Sequence, residues 1–469
     1  MIFFRNGVMR SGMAAYSVVG LGKLGASMTA AIASRGHQII GVDVVPAAVE
    51  AVNAGRAPVQ ETDLDATIAA NRERISATHS FRDAVHASEI TFVVVPTPSD
   101  DRGAFDITYA RAAFAEIGEA LRDKGGYHLV VLTSTVLPGS TRYGLIPLLE
   151  ERSGKQAGRD FGVCYSPEFI ALGSVIRDFL NPDFTLIGEY DQRSGDTLAA
   201  AYDSILAKPA PAERMSIENA EVAKVAVNTF VTTKIAFANM LADICRRLPG
   251  GDVDAVTHAL GMDTRIGSRY LTGALGYGGP CFPRDNVALS FIARELGVSA
   301  AIPEATDVSN RALPGLLSAE LTASLRPGVP VAILGLAYKP ASHVVEESQS
   351  VALAEALLDA GAEVRVYDPL VGAGLLGALE GRVHVAESVQ ECLEDAGLVL
   401  VTTPDASFRS LTAADFSRCA EPVRVVDFWR ALGGALQGAP GIEYVPYGRA
   451  PSEQPSEVVL KQLWSAPDA

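Results

Sequence analysis

A chain of 469 residues, at roughly 150 residues per domain, has length for about three domains and several buried cores. With 48% apolar and 20% charged residues it has the composition of a folded globular protein, which excludes the disordered and low-complexity classes. Lys and Arg number 39 against 55 Asp and Glu, a net charge of −16, so we expect no nucleic-acid partner and no anionic membrane surface. A small anionic substrate stays within reach of a few local cations.

Residues 1–15 hold Arg5, Arg10 and only a short, broken apolar stretch without the run a signal peptide needs, and are expected to form a disordered extension. The first strand is predicted at Tyr16–Val19, followed by the turn Gly20-Leu21-Gly22-Lys23-Leu24-Gly25, a helix to Arg35 and a second strand at Gln38–Val44 that carries Asp43. Strand, glycine turn, helix and strand make a βαβ unit with parallel strands. Ile90–Val95 and His128–Thr133 are continuous apolar runs of the kind a doubly covered parallel sheet needs. From Ser216 to Leu248 there is one helical pattern without Pro or Gly. A helix of roughly 30 residues spans about 45 Å, so it reads as a spine between domains and a candidate dimer interface. After Pro327-Gly328, Val331–Gly335, a helix through Val351–Asp359 and Glu363–Asp368 repeat the strand, helix, strand order, and Leu398–Thr402 and Val423–Val426 add buried strands. The tail after Tyr447 is rich in Pro and Ser and is expected to be mobile. No apolar run approaches the roughly 20 residues of a membrane span.

The turn Gly20, Gly22, Gly25 after a strand and before a helix is a dinucleotide fingerprint, with the phosphates at a helix N-terminus. Asp43 follows Gly25 by 18 residues, where a carboxylate accepts from both ribose hydroxyls and repels a 2′-phosphate, favouring NAD over NADP. The five cysteines, Cys164, Cys245, Cys281, Cys392 and Cys419, form no CxxC pair and have no His at zinc spacing, so neither a disulfide framework nor a metal site is expected, and a reducing cytoplasm fits. Cys281 alone lies in an unusual setting, Gly276-Tyr277-Gly278-Gly279-Pro280-Cys281-Phe282-Pro283-Arg284-Asp285, where glycines admit close approach of a substrate. An average cysteine is a buried packing residue; between a glycine cluster and two prolines a nucleophile becomes the better reading. Lys224 and Asn228 are four apart on one helical face, a pair suited to an oxyanion, with Glu221 a structural partner of Lys224. Glu168 in Tyr165-Ser166-Pro167-Glu168-Phe169 has the chemistry of a general base, and Ser134-Thr135-Val136-Leu137-Pro138-Gly139 is a turn at the ligand-binding edge of the sheet.

Together these segments resemble the UDP-glucose/GDP-mannose dehydrogenase family of nucleotide-sugar 6-dehydrogenases over about Ser17 to Leu432. The motifs stand in order: GLGKLG with VD, VPTP, STVLPGST, SPEF with IRDFLNPDFTLIGE, AEVAKVAVNTFVTTKIAFAN, DTRIGSRYLTGALGYGGPCFPRD, GLAYKP and VYDP. The resemblance implies an α/β fold of two Rossmann-like doubly wound domains joined by a long central helix and a small helical dimerisation domain. Its expected divisions are an NAD-binding domain at 16–212, a central helical domain with the cysteine loop at 213–318, a nucleotide-sugar-binding domain at 319–450 and the tail at 451–469. It implies a four-electron oxidation of a primary alcohol by two NAD in succession, with Cys281 forming a thiohemiacetal and then a thioester. Lys224 and Asn228 would stabilise oxyanions, Asp285 would assist proton transfer, Glu168 would support hydrolysis and Thr135 would position water. NAD would be held by Gly20, Gly22, Lys23, Leu24, Gly25, Asp43, Pro96, Thr97, Ser134, Thr135 and Arg284. The nucleotide sugar would meet Glu168, Phe169, Ile170, Lys224, Asn228, Tyr270, Leu271, Gly278, Lys339 and Arg430, with Arg265 reaching the site of a neighbouring subunit of a homodimer or higher oligomer.

The sequence departs from the family pattern at five places. Leu172 replaces a second Glu, Glu346 an Arg near NAD, Phe184 an Arg, Met240 a Glu, and Thr272 stands where some glucose-type enzymes have Lys. UDP-glucose is the expected substrate, with GDP-mannose, a TDP-sugar or a UDP-N-acetylhexosamine as alternatives. A two-electron β-hydroxyacid dehydrogenase and a nucleotide-binding sensor without turnover are the readings from other classes.

Overall fold

The computed structural model describes residues 15–170, 173–451 and 456–464. The expected extension lies outside these, apart from Ala15, and so does Leu172. The chain divides into two compact units, residues 1–227 with 291–298, and 228–290 with 299–469. The central segment 213–318 is shared between the two.

The first unit is an eight-stranded sheet of β1 (Ala15–Val19), β2 (Gln38–Val42), β3 (Ile75–Thr78), β4 (Ile90–Val93), β5 (Leu129–Leu132), β6 (Gly162–Tyr165), β7 (Thr185–Glu189) and β8 (Ala212–Ser216). The strand order is β3-β2-β1-β4-β5-β6-β7-β8, all parallel except the β6–β7 pair. The order reverses beside β1, at the switch point where doubly wound sheets bind ligands at their carboxyl ends. Val18 pairs with Gly41 on one side and Phe92 on the other, so β1 is central and its apolar run is covered on both faces. One face packs on Tyr16, Val18, Met28, Ile32 and Phe92, the other on Val93, Phe114, Leu132 and Leu145.

The second unit carries a six-stranded, wholly parallel sheet of β9 (Val331–Leu334), β10 (Val364–Tyr367), β11 (His384–Val385), β12 (Leu398–Val401), β13 (Val423–Asp427) and β14 (Ile442–Pro446), in the order β11-β10-β9-β12-β13-β14. This repeats the order of the first six strands of unit one. Ser456–Trp464, inside the expected mobile tail, is helical.

The long helix runs from Ile217 to Cys245, its first part in unit one and the rest in unit two. Among the described residues it alone is long and apolar enough to cross a membrane by length and composition, with mean hydropathy 1.3 over an 18-residue window. It also buries Glu221, Lys224 and Asn239, as the core helix of a folded protein does.

Candidate active site

The nucleotide side of unit one is built by the ends of β1 and β2. Gly20 has φ +96°, and a Cβ there would strike the Val94 carbonyl. A Cβ on Gly25 would strike the carbonyl of Gly20, so the helix Lys23–Ser34 is pressed onto the strand turn, while the space over Gly22 is open. Asp43 accepts from Leu21 N at 2.7 Å with one oxygen and from Val45 N at 2.8 Å with the other. Its lone pairs exceed these two bonds, leaving acceptor capacity for a ribose. The cradle, the open approach and the anchored carboxylate fit NAD.

The loops after β4 and β5 are tied together. Ser134 Oγ donates to Val95 O at 2.7 Å and accepts from Val95 N at 2.8 Å, and Thr97 Oγ1 donates to Thr135 O at 2.7 Å. Pro96 is exposed and Thr135 half-buried beside them. The loop continues to Gly139 and Thr141, whose amides donate to the two carboxylate oxygens of Glu221 at 2.6 and 2.9 Å. Glu221 is therefore structural, as expected, but its partner is this loop and not Lys224. Burial pushes the Glu221 carboxyl up, against these hydrogen bonds, which pull it down.

One turn further along the long helix, Lys224 Nζ donates to the Glu168 carbonyl at 2.6 Å and stands 4.6 Å over the Phe169 ring. Phe184, the residue in place of an arginine, packs on Phe169 with ring centroids 5.2 Å apart, an apolar contact substituting for a cation. Ile170 packs at the edge of the core. Glu168 is half-buried on the loop after β6. Burial raises its carboxyl to about 7, with Lys224 and Tyr202 pulling the other way. A carboxyl at that value exchanges a proton near neutrality. Tyr202, on the helix Gln192–Ile205, belongs to no motif, and nothing in the sequence pointed to it.

In unit two, Cys281 immediately precedes the helix Phe282–Glu295, and its carbonyl accepts the first helical bond from Asp285 N at 2.9 Å. A side chain at that position meets the positive end of the helix, which favours an anion. Cys281 is exposed, whereas Cys164, Cys245, Cys392 and Cys419 are buried. The preceding loop is held at its back: Gly279 N donates to Glu346 O at 2.9 Å, and a Cβ on Gly278 would strike the Glu347 carbonyl. At Gly279, φ +81° and the Tyr338 ring behind it leave no room for a side chain. Burial and the nearby Cys281 push the Tyr338 phenol up to about 12. The departure at Glu346 thus places an exposed acid whose backbone braces the cysteine loop.

Asp285 is 1% exposed and accepts from Asn228 Nδ2 at 2.6 Å, with Arg284 Nε 3.6 Å from its other oxygen. Asn228 and Asp285 therefore meet, and Arg284, read from sequence as a cofactor ligand, faces Asp285. Arg265 is 87% exposed and pairs with Asp263, on a loop held by Lys234 through the carbonyls of Ile266 and Gly267. Tyr270 is half-exposed at φ +66°, Leu271 is buried, and Lys339 lies 5.7 Å from the Tyr338 ring.

Arg430 differs from the expectation of a cation offered to substrate. Its side chain is 4% exposed. Nε pairs with both oxygens of Asp254, and the terminal nitrogens donate to the carbonyls of Thr272, Gly273, Phe428 and Tyr447. In this arrangement it fixes the 272–273 loop. Thr272, in place of a lysine, contributes its carbonyl to that network. Met240 is exposed on the long helix.

Two nucleotide-type sheets with a dinucleotide cradle in the first and an exposed cysteine loop in the second define an NAD-dependent dehydrogenase. Three domain profiles of the UDP-glucose/GDP-mannose dehydrogenase family match it: the NAD binding domain over 14–206, the central domain over 218–312 and the UDP binding domain over 332–434. The chain belongs to this family of nucleotide-sugar 6-dehydrogenases and takes NAD as cofactor. It is 35% identical to a UDP-glucose 6-dehydrogenase of Haloferax volcanii over 399 residues, covering 84% of this chain and 92% of that one. To a GDP-mannose 6-dehydrogenase of Pseudomonas putida it is 34% identical over 409 residues, with the same two coverages, 84% and 92%. The structure of a UDP-glucose dehydrogenase from Pyrobaculum islandicum is similar at 34% identity and TM-score 0.82, over 96% of this chain and 100% of that one.

Proposed function

We propose that this chain oxidises the primary alcohol of UDP-glucose to the carboxylate of UDP-glucuronate through a covalent adduct on Cys281. The observation that carries the covalent step is the position of Cys281, exposed at a helix N-terminus behind a braced glycine loop. NAD, when bound, takes up one hydride in each of two oxidations. Gly20, Gly22, Lys23, Leu24, Gly25 and Asp43 hold it, with the 96–97 and 134–135 loops alongside. Lys224 and Asn228 stabilise the alkoxide that precedes each hydride loss. After the first oxidation the Cys281 thiolate adds to the aldehyde carbon, forming the C–S bond of a thiohemiacetal; loss of the second hydride makes it a thioester. Glu168 takes a proton from a water positioned by Thr135, the hydroxide equivalent adds to the carbonyl, and the C–S bond breaks to return the thiolate and release the carboxylate. Asp285, held by Asn228, handles protons beside Cys281.

Phe169 and Ile170 in unit one, and Tyr270, Leu271, Gly278 and Lys339 in unit two, are the residues proposed to meet the nucleotide sugar, with Arg430 setting the 272–273 loop. The likeness to the Pyrobaculum structure supports UDP-glucose; the GDP-mannose relatives at similar identity support GDP-mannose as the second reading. A cytoplasmic homodimer is part of the proposal. Phe230, Phe237 and Ile244, spaced by seven on the long helix and exposed with Met240, make a stripe suited to a second copy, and the exposure of Arg265 supports its proposed role toward a neighbour.

The test is the count of NADH formed per sugar consumed across a panel of UDP-, GDP- and TDP-sugars. Two per UDP-glucose is the expected result. One per sugar with a stable carbonyl product would mean a two-electron dehydrogenase, and binding without turnover a sensor.

A further inference from the structure

The loop that leads into Cys281 is pinned by side chains that all belong to unit two. Asn310, 6% exposed on the helix Ala301–Thr322, accepts from Tyr277 N at 2.8 Å with Oδ1 and donates to Tyr277 O at 3.0 Å with Nδ2, the pair of bonds an antiparallel strand would make. A Cβ on Gly276 would strike that Oδ1, so the glycine is what admits the amide. The Tyr277 phenol is held as well. Its oxygen accepts from Asn286 Nδ2 at 2.8 Å, and its hydrogen is donated to Asp307 Oδ1 at 3.2 Å. A phenol has one hydrogen, and the Asp307 carboxylate, paired with Arg311, only accepts, so the two bonds use the hydroxyl without competing. Asp307 and Asn310 are three apart on one helical face, and a single helix therefore grips both ends of Tyr277. Asn286 is wholly buried on the helix that begins just after Cys281. Residues 277–286 thus form a closed loop, shut by the phenol, with Cys281 near its middle. Phe282, next to the cysteine, meets the edges of the Tyr277 and Tyr270 rings, with centroids 6.4 and 6.5 Å away.

We propose that Tyr277 is a positioning residue for Cys281, fixed by Asn310 through its backbone and by Asp307 and Asn286 through its phenol, so that the thiol is held at one place for attack on the aldehyde. The thiol takes its position from the backbone on either side of it. Asn310 sets the backbone before the cysteine, and the bond from Asn286 ties the first turns of the helix after it to the same tyrosine. Misplacing a reacting group by about 1 Å costs about a hundredfold in rate, so a loop closed in this way matters to the step in which the C–S bond forms. The inference rests on the reading of Cys281 as the nucleophile.

Tyr277→Phe, nearly isosteric, tests this in the full-length protein by two measurements. Amide hydrogen exchange of a peptide covering 274–284 accelerates about tenfold or more, because the loop loses its tie to the helix. In a single turnover with NAD and UDP-glucose followed by stopped flow, the first NADH, formed before the thiol adds, keeps its rate, and the second slows about ten- to a hundredfold. Asp307→Asn breaks the pair with Arg311 but keeps an acceptor for the phenol, and it stays near wild type in both measurements. Asp307→Ala removes the acceptor and moves both in the direction of Tyr277→Phe. Unchanged exchange in Tyr277→Phe overturns the clamp. Faster exchange with both NADH phases slowed equally, or with a raised KM and an unchanged kcat, shows a general structural or substrate-binding role and overturns the positioning role. A second NADH phase kept by Tyr277→Phe but lost in Cys281→Ser overturns the positioning role alone. A second phase kept by Cys281→Ser overturns the reading of Cys281 as nucleophile and the positioning role with it, while the exchange result still decides the clamp.

Discussion

Replacing Glu221 with Gln perturbs the clamp between the long helix and the loop that carries Thr135. Glu221 is fully buried and gives one oxygen to each of two amides, Gly139 N at 2.6 Å and Thr141 N at 2.9 Å. A carboxamide of the same shape has one acceptor oxygen, so its NH2 must face one of those amide donors. One charge-assisted bond, worth about 1.5–3 kcal/mol, is lost, and a buried N–H is left unsatisfied at about 1–3 kcal/mol. With partial relaxation of the loop the net destabilisation is about 2–4 kcal/mol. Because the loop can open without the whole unit unfolding, amide hydrogen exchange of a peptide covering 134–145 is the direct assay. Exchange there accelerates about 30- to 1,000-fold at neutral pH, with little change at β1 and β4. The difference between wild type and variant narrows as pH falls, because protonated Glu221 also loses an acceptor oxygen. Burial raises its carboxyl, so the narrowing begins above the ordinary glutamate value of 4.5. Exchange within a factor of two of wild type, or a difference independent of pH, would refute the clamp.

Cys281→Ser loses complete oxidation by orders of magnitude, and NADH per UDP-glucose falls from two to one or to a stalled ester-like adduct seen by mass spectrometry of the intact chain; uronate production near the wild-type rate would refute the nucleophile. Gly20→Ala forces a Cβ against the Val94 carbonyl at φ +96°, and NAD titrated calorimetrically binds at least tenfold more weakly. His128, wholly buried with Nε2 2.8 Å from Thr91 Oγ1, is held well below its ordinary value by desolvation. Its neutral form therefore contributes stability that is complete above about pH 6.5 and is lost as pH falls from there toward the folded value, at up to about 1.4 kcal/mol per pH unit. His128→Gln flattens the fall of thermal midpoint between pH 7 and 5 by that contribution, and an unchanged slope would count against it.

The features legible in the sequence are those whose work is done by nearby backbone. Gly20 is required by its own φ and by the carbonyl of the next strand over, and Asp43 closes onto Leu21 N only 22 residues away. The second unit repeats that device: Asp368 accepts from Leu336 N and Ala337 N at 2.8 and 3.0 Å, after GLAYKP as Asp43 does after GLGKLG. A strand, a turn and a carboxylate one crossover later are encoded within a single segment, so a motif captures them. The edge strand β8, AERMS, is mostly exposed and has no apolar run to announce it. Side chains whose partners arrive from elsewhere are a different case. Glu221 looks like the partner of Lys224 at helical spacing, yet its acceptors serve amides 80 and 82 residues earlier. Arg430 has the look of a free cation until Asp254, 176 residues away, takes its guanidinium. Tyr202 reaches Ser166, 36 residues earlier, from a helix with no chemical signature at all. A motif therefore names the groups that do chemistry, while the groups that set their protonation and orientation are chosen by packing. Variation among members that share these motifs is then to be sought at positions such as 221 and 430, outside the residues proposed to react.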